Sequence, residues 1–307
     1  MVIDSKHRSL LIACSVLVGL ASSKIAADEP SKKLETPEPL QTGAVVVPLW
    51  PVDKLVVKGD AGPESLTRTP GNPERVANVT NIHNPSIEVH LAPPEKRTGT
   101  AIILIPGGGN RSVVVGTEGT DVATWLNELG VSAFILRYRI RPYDSAVEGH
   151  ADTQRAVRTV RARAGEWGVD PVKIGVMGFS AGGEQAARVA LDFDRGQPEE
   201  ADAIDHASCR PDFVVMVYAG WAKLDMSQVP ADAPPTFLTS AGLDDAFHAK
   251  QTVEFYNALF DAKIPVELHI YGHGGHAGGI GSRGGIPFGT WQERFVEWAR
   301  DLGMMSL

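Results

Sequence analysis

The chain has 307 residues, of which 43% are hydrophobic, and its formal net charge is -8 at pH 7. This length is enough for one sizeable α/β domain, or at most for two small ones. The acidic balance argues against a nucleic-acid partner, which would need a basic face. Arg155, Arg158 and Arg161 line one predicted helix, and we interpret them as a solvent-exposed helix face.

The N-terminus has the pattern of an export signal. Basic residues precede an apolar core at residues 10–21, and cleavage after Ser23 or after Ala27 fits the small residues found there. The apolar core is too short to span a bilayer comfortably. We therefore predict that residues 1–27 are a signal peptide, and that the mature protein is secreted or periplasmic and has no membrane span.

A lipid anchor is the alternative at the same end of the chain. Residues 11–14 resemble a lipoprotein box, which would leave the protein attached to a membrane through Cys14. Few apolar residues precede that cysteine, so ordinary cleavage is favoured. Cys209 is then the single cysteine of the mature chain, and an internal disulfide is excluded.

Beyond the signal, residues 28–44 are polar and rich in proline, a composition typical of a flexible tether. Residues 45–307 are predicted to form a single α/β domain. Its first part contains short β-like pieces separated by glycine and proline, at residues 54–58, 75–79 and 86–91. We expect these pieces to form an antiparallel margin on a larger sheet.

From residue 101 onward, strand patterns alternate with helical spacing. Apolar runs predict strands at residues 101–105, 131–136, 174–177, 213–218, 235–239 and 266–271. The spacing of apolar residues predicts helices at residues 122–129, 156–167, 185–191, 248–261 and 291–302. This alternation predicts a mostly parallel sheet with helices on both faces. Residues 192–212 and 221–234 are short candidates for lid material, so we expect little or no lid.

The central motif is a G-x-S-x-G pentapeptide at residues 178–182, between an apolar strand and an Ala-rich helix. In that setting the pentapeptide predicts a nucleophile elbow with Ser180 as the nucleophile. The turn strains the serine backbone, and larger side chains at the flanking positions would collide with the neighbouring strand and helix. The alternative is an ordinary glycine-rich turn with an N-cap serine.

A glycine-rich loop follows the strand at residues 101–105. Consecutive glycines allow backbone N–H groups to face a cleft without side chains in the way. We predict an oxyanion hole made by Gly108 or Gly109 together with Ala181. Such a loop could instead cradle a phosphate, but the chain contains no G-x-x-x-x-G-K-[ST] motif.

The acid and the base are expected at the ends of the last two predicted strands, because functional residues gather at the carboxyl ends of parallel strands. Asp244 comes first after its strand and is favoured over Asp245 as the acid. His276 lies between small residues and is favoured over His273 as the base. The chain order serine, aspartate, histidine, each at a strand end, is much more specific than any one motif.

A metal centre is the competing interpretation of the histidines. His269, His273 and His276 would have to converge, and the strand pattern turns His269 away from the other two. His206 and Cys209 make up only half of a metal site. We therefore expect neither a metal nor an organic cofactor.

Together these motifs resemble the α/β-hydrolase fold serine esterases of the acetyl esterase and feruloyl-esterase-like branch, near bacterial acetylxylan esterases. The matching stretches lie at residues 106–109, 118–119, 137–139, 152–156, 178–183, 235–238, 244–245 and 275–278. The resemblance runs from about Asn78 to the C-terminus. It implies a catalytic triad of Ser180, Asp244 and His276, and the oxyanion hole named above.

The departures from that family lie around the pocket and concern the substrate rather than the chemistry. Asn110 and Glu184 stand where relatives often have tyrosine and histidine. Phe247 and His248 follow the paired aspartates where proline or valine is common. We take Asn110, Phe179 and Glu184 as the candidate substrate-contacting residues.

The predicted function is an exported serine esterase that removes short acyl groups, in the first place acetyl, from a small-molecule or polysaccharide ester. A general carboxylesterase is the nearest alternative. A prolyl-oligopeptidase-type peptidase usually carries a large additional domain, for which this length leaves no room. A catalytically silent binding protein would have lost a triad member. A glycosidase needs two carboxylates flanking the sugar bond, and the adjacent residues 244–245 fit that badly.

Overall fold

The structure is a computed structural model, and it describes residues 34–60, 62–276, 278–281 and 287–305. The predicted signal peptide, with Cys14, lies outside the described residues. In the residues that the structure describes, no helix is both long enough and apolar enough to cross a membrane.

The core of the domain is an eight-stranded sheet in the order β1-β4-β6-β5-β7-β8-β9-β10. All strands from β6 to β10 in that order pair in parallel, and β4 pairs antiparallel with both β1 and β6. The mostly parallel sheet with an antiparallel N-terminal margin is confirmed. β10 forms one edge of the sheet and pairs with β9. The strands are β1 Val45–Pro48, β2 Ser65–Thr69, β3 Asn72–Thr80, β4 Ser86–His90, β5 Ala101–Ile105, β6 Ser132–Arg137, β7 Ile174–Phe179, β8 Phe213–Val217, β9 Thr236–Ala241 and β10 Val266–Tyr271.

Helices cover both faces of this sheet. Successive residues of a strand point to opposite faces. In β7, a Cβ at Gly178 would lie 2.8 Å from the Cβ of Ala186 in α4, whereas the Phe179 ring lies 6.3 Å from the Trp291 ring in α6. α4 and α6 therefore lie on opposite sides. The helices are α1 Asp121–Glu128, α2 His150–Ala162, α3 Ala164–Trp167, α4 Ala181–Leu191, α5 Ala246–Asp261 and α6 Trp291–Asp301.

The predicted strand at residues 54–58 is wrong. This segment begins with the end of a 3-10 turn, Val52–Lys54, and continues as unpaired extended chain. Two of its backbone groups meet one side chain instead of a neighbouring strand: the Tyr143 hydroxyl accepts from the N–H of Lys58 at 3.2 Å and lies 3.3 Å from the carbonyl oxygen of Val56. The β2–β3 hairpin forms a separate two-stranded sheet.

The described part of the predicted tether is fixed to the domain, which differs from the flexible segment that composition suggested. Leu40 is 3% exposed, and its N–H donates to the buried carboxylate of Glu88. The carbonyls of Glu35 and Glu38 accept from Asn84 and Arg137. Apolar burial and backbone hydrogen bonds together order this proline-rich stretch.

The arginine stripe of α2 is not a solvated face, so that interpretation is wrong. Arg155 and Arg158 are 3% and 4% exposed. The segment between α4 and β8 folds over them and supplies carboxylates and carbonyls. Charged residues on one helix face can be buried when residues distant in sequence supply the opposite charges. Helical periodicity does not show where those partners are. The paired aspartates are Asp194, Asp202, Asp205 and Asp212.

Replacing Arg158 with alanine is expected to lower the free energy of unfolding by about 2 kcal/mol, because it removes the counter-charge of the Asp194 carboxylate and the donor to the Ala207 carbonyl. Arg294→Ala removes an exposed pair with Glu297 at 2.8 Å and is expected to change it by less than about 0.5 kcal/mol. Urea unfolding of both variants measures the difference. Equal effects would mean that the buried arginine is no more important to the fold than a surface one.

Candidate active site

Ser180 lies at the end of β7, directly before α4, in a strained conformation with φ 50° and ψ -119°. Glycine is required around it. A Cβ at Gly178 would lie 2.4 Å from the carbonyl oxygen of Gly182, and a Cβ at Gly182 would lie 1.9 Å from the carbonyl oxygen of Ile105. The chain therefore makes the sharp strand-to-helix turn that the pentapeptide predicts, with the serine at its apex.

A continuous hydrogen-bonded series connects that serine to an acid. The Ser180 hydroxyl lies 3.0 Å from Nε2 of His276. Nδ1 of the same ring lies 2.8 Å from Oδ2 of Asp245. The side chain of His276 is 34% exposed and that of Asp245 only 7%, so the series runs from an accessible hydroxyl to a buried carboxylate.

The structure corrects the choice of acid, since Asp245 and not Asp244 faces His276. Asp244 accepts the N–H of Gly274 at 2.9 Å and lies 3.3 Å from Nδ1 of His273. The Gly274 N–H, followed by His273, holds the pKa of the Asp244 carboxyl below its usual range. In the 3-10 turn at Leu243–Asp245 adjacent side chains point in different directions, so being first after the strand does not bring Asp244 to the site.

The glycine-rich loop lies beside the serine. A Cβ at Gly107 would come within 2.8 Å of the Ser180 Cβ. Gly108 has φ +128°, and a Cβ there would lie 2.1 Å from the carbonyl oxygen of Ser112. In the described part of the chain, the N–H groups of Gly108, Gly109 and Ala181 donate to no protein acceptor. Ala181 is the first residue of α4 and so has no acceptor within its helix.

A buried carboxylate that sequence reasoning did not single out as functional supports this loop. Glu118 is 2% exposed; it accepts the N–H of Gly107 at 2.6 Å and the hydroxyl of Tyr218 at 3.0 Å. Burial is the largest influence on Glu118 and raises its pKa. The Tyr218 hydroxyl also accepts the N–H of Gly279 at 2.9 Å, and its ring lies edge-on to His276 at 5.0 Å. The sequence did contain one signal for Glu118, since residues 118–119 match the pattern of the esterase branch.

A second histidine shares the same acid. Nδ1 of His248 lies 2.6 Å from Oδ1 of Asp245. The His248 and His276 rings are stacked, with centroids 3.9 Å apart and planes 19° apart. Asp245 thus binds one imidazole with each carboxylate oxygen. The family comparison marked His248 only as a departure around the pocket.

The candidate substrate-contacting residues have different surroundings. Phe179 is fully buried and packs on Tyr218 and Trp291 beneath the serine, so it is a core residue and that prediction is wrong. Glu184 is 5% exposed and pairs with Arg188 at 2.7 Å. Asn110 follows the glycines with φ 57°, and its side-chain oxygen is buried without a partner in the described residues.

Metal binding finds little support in this geometry. His206 and Cys209 contact different groups, the carbonyl of Glu200 and the N–H of Asp194. The described residues bring the ligand atoms of Asp245, His248 and His276 within 4.8 Å of one another. Stacked imidazoles direct their lone pairs in parallel rather than towards one ion, and both Nδ1 atoms already face the carboxylate. The arrangement suits proton transfer better than coordination.

Comparison with known proteins finds similar chains among hydrolases. An α/β-hydrolase fold family model matches residues 102–262, a little over half of the chain. An acetylxylan esterase from Xylanibacter ruminicola is 27% identical over 241 residues, which cover 68% of this chain and 46% of that relative. An endo-1,4-beta-xylanase B from Butyrivibrio fibrisolvens is 28% identical over 207 residues, which cover 57% of this chain and 32% of that relative. The chain thus spans less than half the length of these relatives.

Solved structures extend the likeness over more of the chain. An acetyl ester-xyloside bifunctional hydrolase from Caldicellulosiruptor lactoaceticus superposes with a TM-score of 0.72 and 28% identity, over 85% of this chain and 97% of that one. A thermophilic esterase from Thermogutta terrifontis superposes with a TM-score of 0.59 and 22% identity, over 74% of this chain and 92% of that one. At that lower identity the likeness concerns the fold alone.

Proposed function

Because the chain belongs to the α/β-hydrolase fold family, we propose that it is a serine esterase that removes short acyl groups, above all acetyl, from carbohydrate. The observation that carries the proposal is the hydrogen-bonded series Ser180–His276–Asp245, with distances of 3.0 and 2.8 Å, on a strained elbow. A hydroxyl is a weak nucleophile until a base takes its proton, and an acid must orient that base. The series provides all of these groups in contact.

The reaction begins when the Ser180 oxygen attacks the ester carbonyl and passes its proton to Nε2 of His276. Asp245 accepts Nδ1–H and stabilises the resulting imidazolium, since its carboxylate is held 2.8 Å away. His276 then protonates the departing alcohol. Water, deprotonated by the same imidazole, releases the acid from the acyl-enzyme and restores Ser180.

The negative charge of the tetrahedral intermediate requires fixed donors. We assign this role to the N–H of Ala181 together with the N–H of Gly108 or Gly109, which donate to no protein acceptor in the described residues. Fixed backbone donors beside a developing oxyanion need no reorganisation during the reaction, which is why they stabilise it strongly.

The acetyl-carbohydrate part of the proposal is supported by similarity to two proteins that act on such esters by name, the acetylxylan esterase and the acetyl ester-xyloside hydrolase. The second aligns over 97% of its own length, so the likeness extends over that whole protein. A general carboxylesterase would use the same Ser180 chemistry and differ in the alcohol and acyl groups it accepts.

We expect the protein to release acetate from acetylated xylan, and to cleave 4-nitrophenyl acetate with a kcat/KM about tenfold or more above that for the butyrate. A pocket sized for acetyl has no room for two further methylenes. Acetate release and nitrophenol absorbance are the measurements, with Ser180→Ala as the blank.

Each outcome separates the candidate functions. Acetate release that disappears in Ser180→Ala supports the carbohydrate esterase. Cleavage of the nitrophenyl esters alone, with butyrate equal to acetate, favours a general carboxylesterase. A variant as active as the parent on every ester would overturn the nucleophile assignment and favour a catalytically silent binding protein.

A further inference from the structure

The reaction proposed above uses one histidine, yet two imidazoles lie on Asp245. His248 contacts the other oxygen of this carboxylate: its Nδ1 is 2.6 Å from Oδ1, while Nδ1 of His276 is 2.8 Å from Oδ2. With both oxygens acting as acceptors, each ring carries its proton on Nδ1 and leaves Nε2 available. For His276 this is the tautomer that a base facing Ser180 needs.

The ring of His248 lies against His276 on one side and against Gly220, which is hydrogen-bonded to Ser180, on another. It stacks on His276 at 3.9 Å. A Cβ at Gly220 would lie 2.3 Å from its Cδ2 atom, so the ring lies directly on that glycine. The N–H of Gly220 in turn donates to the carbonyl of Ser180 at 3.1 Å. His248 thus touches two of the segments that set the distance between the base and the serine.

Resting on the proposed esterase function, we propose that His248 is a positioning residue for the base: by sharing Asp245 and stacking on His276, it fixes the orientation of that ring towards Ser180. The hydrogen bond from His248 to Oδ1 holds the Asp245 carboxylate so that Oδ2 faces Nδ1 of His276. The stacked ring restricts rotation of His276 away from the serine.

The charges around the pair agree with this assignment. Burial, ahead of the other influences, lowers the pKa of His248, and the charge of His276 lowers it further. His248 is therefore neutral at pH values where an ordinary histidine begins to gain a proton. Facing His276 from other elements are Tyr218 and the charge of Glu118, while Asp244 and His273 pair with each other nearby. On its other sides His248 meets the uncharged Gly220 and Phe247.

The test compares kcat and KM for 4-nitrophenyl acetate. His248→Phe keeps a stacked ring and removes the hydrogen bond to Asp245. Relative to the parent, its kcat is expected to fall about tenfold with a change in KM of less than about threefold, because a less well oriented base slows proton transfer and leaves substrate binding unchanged. His248→Asn keeps a donor for Asp245 and should recover most of that loss. His273→Asn, which alters a 76% exposed histidine on Asp244, is the matched control and should follow the parent.

A purely structural role predicts a different result, in which both variants lose activity equally and in proportion to the loss of folded protein. That result would overturn the proposal. Should His248→Phe fail to fold by circular dichroism, His248→Asn carries the test alone. The ¹⁵N chemical shifts of the His276 ring report its tautomer without any substrate, so a change of tautomer in His248→Phe, in a protein whose parent hydrolyses no ester, would refute the esterase function and leave the positioning role intact.

Discussion

Asparagine at position 245 is expected to lower kcat about 10⁴-fold, whereas asparagine at position 244 leaves it within about threefold. An amide in place of the Asp245 carboxylate cannot compensate an imidazolium, and its N–H₂ group favours the wrong tautomer of His276. Asp244 binds the N–H of Gly274 and His273 rather than the base. The two adjacent aspartates are therefore a matched pair that differs in contact with His276.

Steady-state kinetics on 4-nitrophenyl acetate measure both variants. The amount of folded protein is checked by circular dichroism, because Asp245 is also the acceptor for His248. A large loss of kcat in Asp244→Asn with little loss in Asp245→Asn would mean that Asp244 is the acid, as the sequence order favours. It would also mean that the loop has a different arrangement in solution.

Glutamine in place of Glu118 is expected to lower kcat about 10²-fold with a change in KM of less than about threefold. The carboxylate accepts from the Gly107 N–H and the Tyr218 hydroxyl, and an amide can accept only one of these bonds. Gly107 directly precedes the predicted oxyanion donors, so a shifted loop loses stabilisation of the transition state rather than binding of the ground state. Loss of a single oxyanion donor costs a comparable factor in other hydrolases.

Glu64→Gln is the matched control for this variant. Glu64 is a partly buried glutamate whose pKa is also raised first of all by burial, but it pairs with Arg137 at 2.8 Å and not with the glycine-rich loop. Its replacement is expected to affect the free energy of unfolding and not kcat per folded molecule. Equal losses of kcat in the two variants would assign the effect of Glu118 to general destabilisation.

The local sequence pattern was sufficient to predict the sheet and much of the candidate site. Buried strands such as β5 and β7 consist of unbroken apolar residues, and the glycines around Ser180 admit one sharp turn, so both could be read from neighbouring residues. His276 was identifiable because its neighbours are small. Each of these features depends on residues close together in the chain.

The errors arise where the deciding contact is distant in sequence. The choice between Asp244 and Asp245 depends on the direction of side chains in a 3-10 turn, and the role of Glu118 depends on Tyr218, 100 residues further on. Phe179 is next to the nucleophile in sequence, yet strand alternation turns it into the core. Adjacency in the chain predicts which loop a residue occupies, but not which way its side chain points.

The position of β10 in the sheet bears on the stability of the contact between His276 and Ser180. This strand leads directly into the loop that carries His276, and it lies at the edge of the sheet, where it pairs with β9. Ser180 follows β7, which is paired on both sides. Edge strands open locally at a lower free energy than central ones. We expect such fraying to separate His276 from Ser180 while the centre of the sheet stays folded, so that the fraction of molecules with this contact depends on one peripheral strand rather than on global unfolding.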